Sequence, residues 1–218
     1  MSRPLPETAS IAHNGEDAKL VAPSAARNVG PICDLLERIA PATGTALELA
    51  SGTGQHVIAY AAHFPGLQWQ PTEIDSDRRA SIDSYVAAAG LGNIAAALNL
   101  NAATPGWGAR HGGQALILLS NLLHLISGRE AQVLIAEAAI ALAPGGTFVI
   151  YGPFMRGGEL TSDGDARFHA SLIIHDPEIG YKDDFDTMDL LQGGGLDMVD
   201  VIEMPANNLA LIAQKPAF

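Results

Sequence analysis

The chain has 218 residues, 48% of them hydrophobic, which suits one α/β domain with a sizeable core and excludes a disordered chain. Its 24 acidic residues outweigh 12 basic ones, a formal net charge of −12 with no Lys/Arg cluster, so such a surface repels a phosphate backbone and no nucleic-acid partner is expected. The single cysteine, Cys33, rules out an internal disulfide and a cysteine-based metal cage, and no apolar run approaches the roughly 20 residues of a membrane span.

Residues 1–22 read as a flexible N-terminal arm, followed by one domain over 23–218. Arg3, early prolines and Glu16-Asp17 stand where a secretory signal needs an apolar run of about 7 to 15 residues, so a cytoplasmic location is expected. Pro31 suits the first position of a helix, where its missing N–H costs nothing; Ile32, Leu35, Leu36 and Ile39 share one face and Pro41 stops it. Thr45 to Ala50 is a short apolar strand, then comes a glycine turn, then a helix over His56 to His63. A second strand, Leu67 to Thr72, ends in Glu73-Ile74-Asp75, and Arg78 to Ala89 is the next helix, closed by Gly90. A third strand is expected near Ala95 to Leu100.

Ala115 to Leu119 is continuously apolar, as a strand buried on both faces must be; a helix over Glu130 to Leu142, a Pro144-Gly-Gly146 turn and a strand over Thr147 to Tyr151 follow. Asp163 to Asp189 holds many acids but also Phe168, Leu172, Ile173 and Ile174 at helical spacing, and reads as an insert covering a pocket. A short helix over Phe185 to Leu191 precedes two strands, Met198 to Glu203 and Leu209 to Gln214. Their link, Met204-Pro-Ala-Asn-Asn208, suits a hairpin, so the last strand should run antiparallel. Each parallel crossover needs a helix to return the chain, and the alternation predicts a doubly wound, Rossmann-like α/β sheet.

Glycines after a first strand let the backbone approach a ligand, and the helix that follows points free N–H groups at it. The dinucleotide fingerprint wants a third small residue, G-x-G-x-x-G/A; here Gly52-Thr-Gly54-Gln-His-Val57 places valine there, which weakens an NAD reading. Glu73 ends the second strand near the spacing of about 20 residues at which an acid accepts both ribose hydroxyls, a contact that serves any adenosine. Glu48 discriminates further. A carboxylate beside the turn repels a pyrophosphate but accepts from the ammonium of a methionine moiety, which favours S-adenosyl-L-methionine.

Glu48-x-Ala50-Ser-Gly-Thr-Gly54, Glu73-Ile-Asp75 and Leu142-Ala-Pro-Gly-Gly146 resemble the motifs of class I methyltransferases. More narrowly, Ala25-Ala-Arg27-Asn28, Leu47 to His56, Asn121-Leu-Leu-His124, Tyr151-Gly-Pro-Phe154 and Met204 to Asn208 resemble the methyltransferase-like-26 family over roughly residues 22 to 215. That resemblance implies a seven-stranded sheet, mostly parallel with its last strand antiparallel, and a cofactor lying across the ends of strands one, two and four. It implies a cofactor set of Arg27, Asn28, Glu48, Ala50, Ser51, Gly52, Gly54 and His56, continued by Glu73, Ile74, Asn101, Ala102 and Asn121. Where relatives commonly carry aspartate this chain has Glu73, and where they carry an acid near the adenine it has Asn101, whose amide can still accept from the adenine amino group.

Methyl transfer is an in-line displacement from an activated leaving group, so positioning supplies much of the acceleration and a base is optional. His124, just beyond the fourth strand, is the first choice of base, and its other reading is a histidine packing the turn. Tyr151 either borders the acceptor pocket or is a sheet-end aromatic. Asn121 serves as ligand contact or turn former, and Arg27-Asn28 as carboxylate contact or solvated linker. The histidines show no metal-binding spacing, so no metal is expected. The expected activity is methylation of oxygen or nitrogen in a small-molecule acceptor. A non-catalytic cofactor-binding scaffold and an NAD-dependent oxidoreductase are the alternatives, and nothing in the sequence sets the oligomeric state.

Overall fold

In the computed structural model, which describes residues 6 and 9–218, the chain builds one central sheet with helices on both faces. A small hairpin, β1 (His13–Asn14) and β2 (Leu20–Val21), leads into α1 (Pro23–Ile39). Then come β3 (Gly44–Leu49), α2 (Gln55–His63), β4 (Leu67–Pro71), α3 (Ser76–Ala89), β5 (Gln114–Ser120), α4 (Gly128–Ala141) and β6 (Leu142–Met155). The remainder is α5 (Asp163–His175), β7 (Lys182–Asp183), α6 (Asp184–Gly193), β8 (Asp197–Met204) and β9 (Asn208–Gln214).

The sheet runs β4-β3-β5-β6-β9-β8, with β7 paired to β6. β3, β4, β5 and β6 are mutually parallel, and β9 is antiparallel to both β6 and β8. This is the expected doubly wound architecture with an antiparallel last strand. Alternation along the strands divides the core in two. Ala46, Leu116, Leu118 and Val149 pack with α1 and α2 through Ile32, Leu36, Val57 and Tyr60. Their neighbours Leu47, Leu49, Ile117, Leu119 and Phe148 pack with Leu134 and Ile135 of α4. β5 is apolar from Ala115 to Leu119 because both of its faces are covered, as parallel strands in such sheets require.

Local signals fix the helix ends. Asp75 caps α3 by accepting from the Asp77 and Arg78 amides, and Gly90 closes it at φ 63°. Ser127 and Glu130 form a reciprocal capping box at the start of α4.

Four expectations change. α1 begins at Pro23, not Pro31, which lies inside the helix; its buried face, Ala25, Ile32, Cys33, Leu35 and Leu36, outweighs the hydrogen bond that Pro31 cannot donate. The third strand is reduced to bridges beside β4, Trp69 to Ile94 and Thr72 to Leu98. The Pro144-Gly-Gly146 turn falls inside β6, where the register jumps from Gln114–Leu142 to Leu116–Thr147. The arm expected at residues 1–22 lies partly outside the described residues, and its described part from residue 9 contains the β1–β2 hairpin. No helix among the described residues is long and apolar enough to cross a membrane.

Candidate active site

The parallel strands end on one edge of the sheet, and two adjacent strands leave it through left-handed backbone on residues that are not glycine. Ala50, after β3, has φ 52° and Asn121, after β5, has φ 55°. Left-handed alanine costs on the order of 1 kcal/mol, and such conformations concentrate at ligand sites. Gly52 (φ 62°) and Gly54 (φ 95°) continue the turn after Ala50. A Cβ on Gly54 would lie 2.8 Å from Ile82 Cα, so this glycine lets the turn press against α3. No side chain caps α2, which starts directly after Gly54, so its first amides face the turn with the positive end of the helix.

The turn is clamped to the end of β4. Ser51 donates its amide to Thr72 O (2.8 Å), and its hydroxyl accepts from the Thr72 amide (3.1 Å). Glu73 is 6% exposed; Oε2 accepts from the Gly52 amide (3.0 Å), and Oε1 from the amides of Ile74 (2.8 Å) and Asp75 (3.2 Å). Each carboxylate oxygen can take further donors, so Glu73 can position the glycine turn and still receive ribose hydroxyls.

Glu48 is 1% exposed, and its Oε2 is buried without a hydrogen-bond partner. The hydroxyls of Tyr60 and Ser120 are buried and unpartnered as well. Burial, with the Glu73 charge adding to it against the Ser51 hydroxyl, pushes the Glu48 carboxyl up to about 8. Burial first, and then the Glu48 charge, raises the Tyr60 phenol well above its usual value. A buried carboxyl with one unpartnered oxygen, close to the Tyr60 hydroxyl, is poised to accept a cationic donor.

On the β5–β6 side, Asn121 donates its amide to Tyr151 O (2.8 Å). Tyr151 is 1% exposed, and its hydroxyl accepts from Asn208 Nδ2 (3.0 Å). His124 lies in a short 3₁₀ turn, Leu123–Leu125, with its ring edge-on to Phe168 of α5 (5.7 Å) and to Tyr181 (6.1 Å). Burial, with the Lys182 charge adding to it, lowers His124 to about 3, and Nδ1 has no partner. An imidazole this weakly basic is a poor general base near neutral pH, so this geometry favours the packing role.

The remaining expected residues divide. Asn101 turns its Oδ1 to the Ala103 amide (3.0 Å), and Ala102 is buried with its carbonyl accepting from the Trp107 indole (2.9 Å). Ile74 is 40% exposed beside Glu73. Arg27 and Asn28, expected before a helix, lie within α1, where Arg27 is exposed. His56 fastens α2 to α1: Nε2 donates to Ala25 O (3.2 Å), the ring stacks on Tyr60, and burial lowers its pKa to about 4. Among the described residues, no group of three or more His, Cys, Asp or Glu side chains could hold a metal.

A family model described as a protein of unknown function (DUF938) matches residues 19–215. The chain belongs to the DUF938 family. The family match takes in every strand of the main sheet and the turns at the ends of β3, β4 and β5. Solved structures share this DUF938 fold. An O-methyltransferase family protein from Burkholderia thailandensis superimposes with a TM-score of 0.76 at 20% identity, covering 89% of this chain and 59% of its own. A protein from Nostoc punctiforme assigned as an O-methyltransferase gives 0.75 at 17%, covering 86% and 56%. Human N-acetylserotonin methyltransferase, solved with S-adenosylmethionine, gives 0.70 at 14%, covering 87% and 52%. The DUF938 chain thus spans a little over half the length of these structures. The likeness shows that the chain shares the Rossmann-like fold of these structures.

Sequence reasoning missed Tyr60, Ser81, Gln55 and Arg78. Tyr60 joins Glu48 only through the packing of α2 on the sheet, and Ser81 reaches the glycine turn from α3 by donating to Thr53 O (2.7 Å). No local motif marks either one.

Proposed function

We propose that this DUF938 protein binds S-adenosyl-L-methionine and methylates an oxygen or nitrogen of a small molecule. The observation that carries the reading is the buried Glu48 carboxyl, its Oε2 unpartnered, beside a glycine turn that Glu73 fastens through the Gly52 amide. When bound, S-adenosyl-L-methionine supplies a methyl group on a sulfonium, already activated for displacement. Glu73 orients the ribose, Glu48 receives the ammonium, and the free amides of α2 face the carboxylate of the methionine part. A pyrophosphate beside Glu48 offers no cation to pair with the carboxylate, whereas an ammonium does, which favours S-adenosyl-L-methionine over NAD.

Asn121 and Tyr151 border the acceptor side, and His124 with Phe168 and Tyr181 closes it, so the cap excludes water and holds the acceptor in line. The O-methyltransferase names of the structural neighbours favour an oxygen acceptor, and the motifs resembling the methyltransferase-like-26 family support the same cofactor. A cytoplasmic setting and an acidic surface without a nucleic-acid or membrane partner complete the reading.

The test is transfer of labelled methyl from S-adenosyl-L-methionine into a small-molecule metabolite pool, with Glu48→Gln and Glu73→Ala as controls. Label should enter small molecules with the parent and fall sharply with both variants. The packing of His124 favours a second reading, a cofactor-binding scaffold without turnover. Tight S-adenosylhomocysteine binding with no acceptor labelled would select it.

A further inference from the structure

The hairpin ahead of α1 is joined to the glycine turn by two side-chain relays. The Leu20 amide donates to Ser81 Oγ (2.8 Å), and Ser81 in turn donates to Thr53 O (2.7 Å), in the middle of the turn. The Ala22 amide donates to Gln55 Oε1 (2.6 Å), the same oxygen that receives the Thr53 hydroxyl (2.9 Å). Tyr85 of α3 adds a hydrogen bond to Leu20 O (3.2 Å), and the Lys19 ammonium lies over its ring.

Further toward the N-terminus the chain passes over the site itself. Arg78 Nη2 donates to Ser10 O (3.2 Å) and to Ser10 Oγ (2.7 Å). The Nη1 of the same guanidinium lies 3.7 Å from where a Cβ on Gly52 would sit. Ala9, next in the chain, packs against the cluster of Leu125, Leu172, Tyr181 and Phe168 that carries the cap beyond β5. One short stretch therefore touches α3, which follows β4, and the cap, whose Leu125 follows β5 and whose other residues follow β6. In the sheet order β3 lies between those two strands, with the glycine turn at its end.

We propose that residues 9–22 are a strap across the adenosyl site, docked through Thr53 and Arg78, and that release of the bound nucleoside requires the strap to lift. The proposal rests on the cofactor reading above. Because the relays end on Thr53, any ligand that fixes the glycine turn also fixes the acceptors that hold the Leu20 and Ala22 amides. Binding and strap docking then support each other, as coupled local ordering requires.

The test uses the full chain with S-adenosylhomocysteine as probe. In the parent protein, the ligand should slow hydrogen exchange at the amides of residues 9–22. Arg78→Met, which removes the hold on Ser10, and Ala9→Asp, which places a charge in the cap cluster, should each speed ligand release about tenfold, the effect of losing one charged hydrogen bond. The melting temperature of the ligand-free variants distinguishes this from general destabilisation, and the exchange measurement on the parent needs no variant. A parent that binds the nucleoside while exchange over residues 9–22 stays unchanged would overturn the strap and leave the cofactor reading standing. A parent that does not bind it at all overturns both.

Discussion

A carboxyl group buried away from water favours its protonated form, and Glu48 is held in that condition. Its carboxyl is raised from 4.5 to about 8, chiefly by burial. For a raised acid, the contribution to folding stability is present below about 4.5 and is lost as pH rises through about 8. A bound ammonium favours the ionised form, so affinity for S-adenosylhomocysteine should rise between about pH 6 and 8 with release of a proton. Calorimetry in buffers of different ionisation enthalpy measures both, and Glu48→Gln should flatten the trend. Gly54 makes a second residue-scale case. Alanine there meets Ile82 Cα at 2.8 Å and sits at φ 95°, so Gly54→Ala should cost about 2–4 kcal/mol in urea unfolding and weaken cofactor binding. The placement of Glu48, Glu73 and the two glycines at neighbouring strand ends was legible because it depends on spacing along a strand and a turn. The surroundings of Glu48 were not, since Tyr60 and Ser120 arrive from other elements, and the rings around His124 come from an insert distant in sequence.

At the scale of elements, signals written within a few residues were the ones that read correctly. Gly90 and the apolar runs of β3 and β5 place their elements within a residue or two. Ser127→Ala should break the reciprocal cap of α4, costing about 1 kcal/mol in urea unfolding, while affinity for S-adenosylhomocysteine stays unchanged because Ser127 is engaged with Glu130 in that cap. Two nearby prolines compete for the start of α1, and nothing local shows that the stretch from Pro23 has a face to bury. The hairpin of the arm was hidden for a related reason. Leu20 is held by Ser81 and Tyr85, and Ala22 by Gln55, all contacts distant in sequence that composition cannot reveal. The segment near 94–98 has strand character, yet it meets β4 only at isolated bridges, one of them at Thr72 beside Glu73.

For the whole molecule, strand order does what no single motif can. It brings the ends of β4, β3, β5 and β6 together, so Glu73, the glycine turn, Asn121 and Tyr151 share one edge although the chain separates them widely. That edge was predictable from the alternation of strands and helices, because ligands in doubly wound sheets bind beyond the carboxyl ends of the strands. The occupant of the crevice is the claim on which the functional account stands. The most direct measurement is calorimetric titration of the full chain with S-adenosylhomocysteine and, separately, with NAD. Saturable one-to-one binding of S-adenosylhomocysteine, lost in Glu73→Ala and absent for NAD, is the predicted result; no heat with S-adenosylhomocysteine, or equal binding of NAD, would contradict the account.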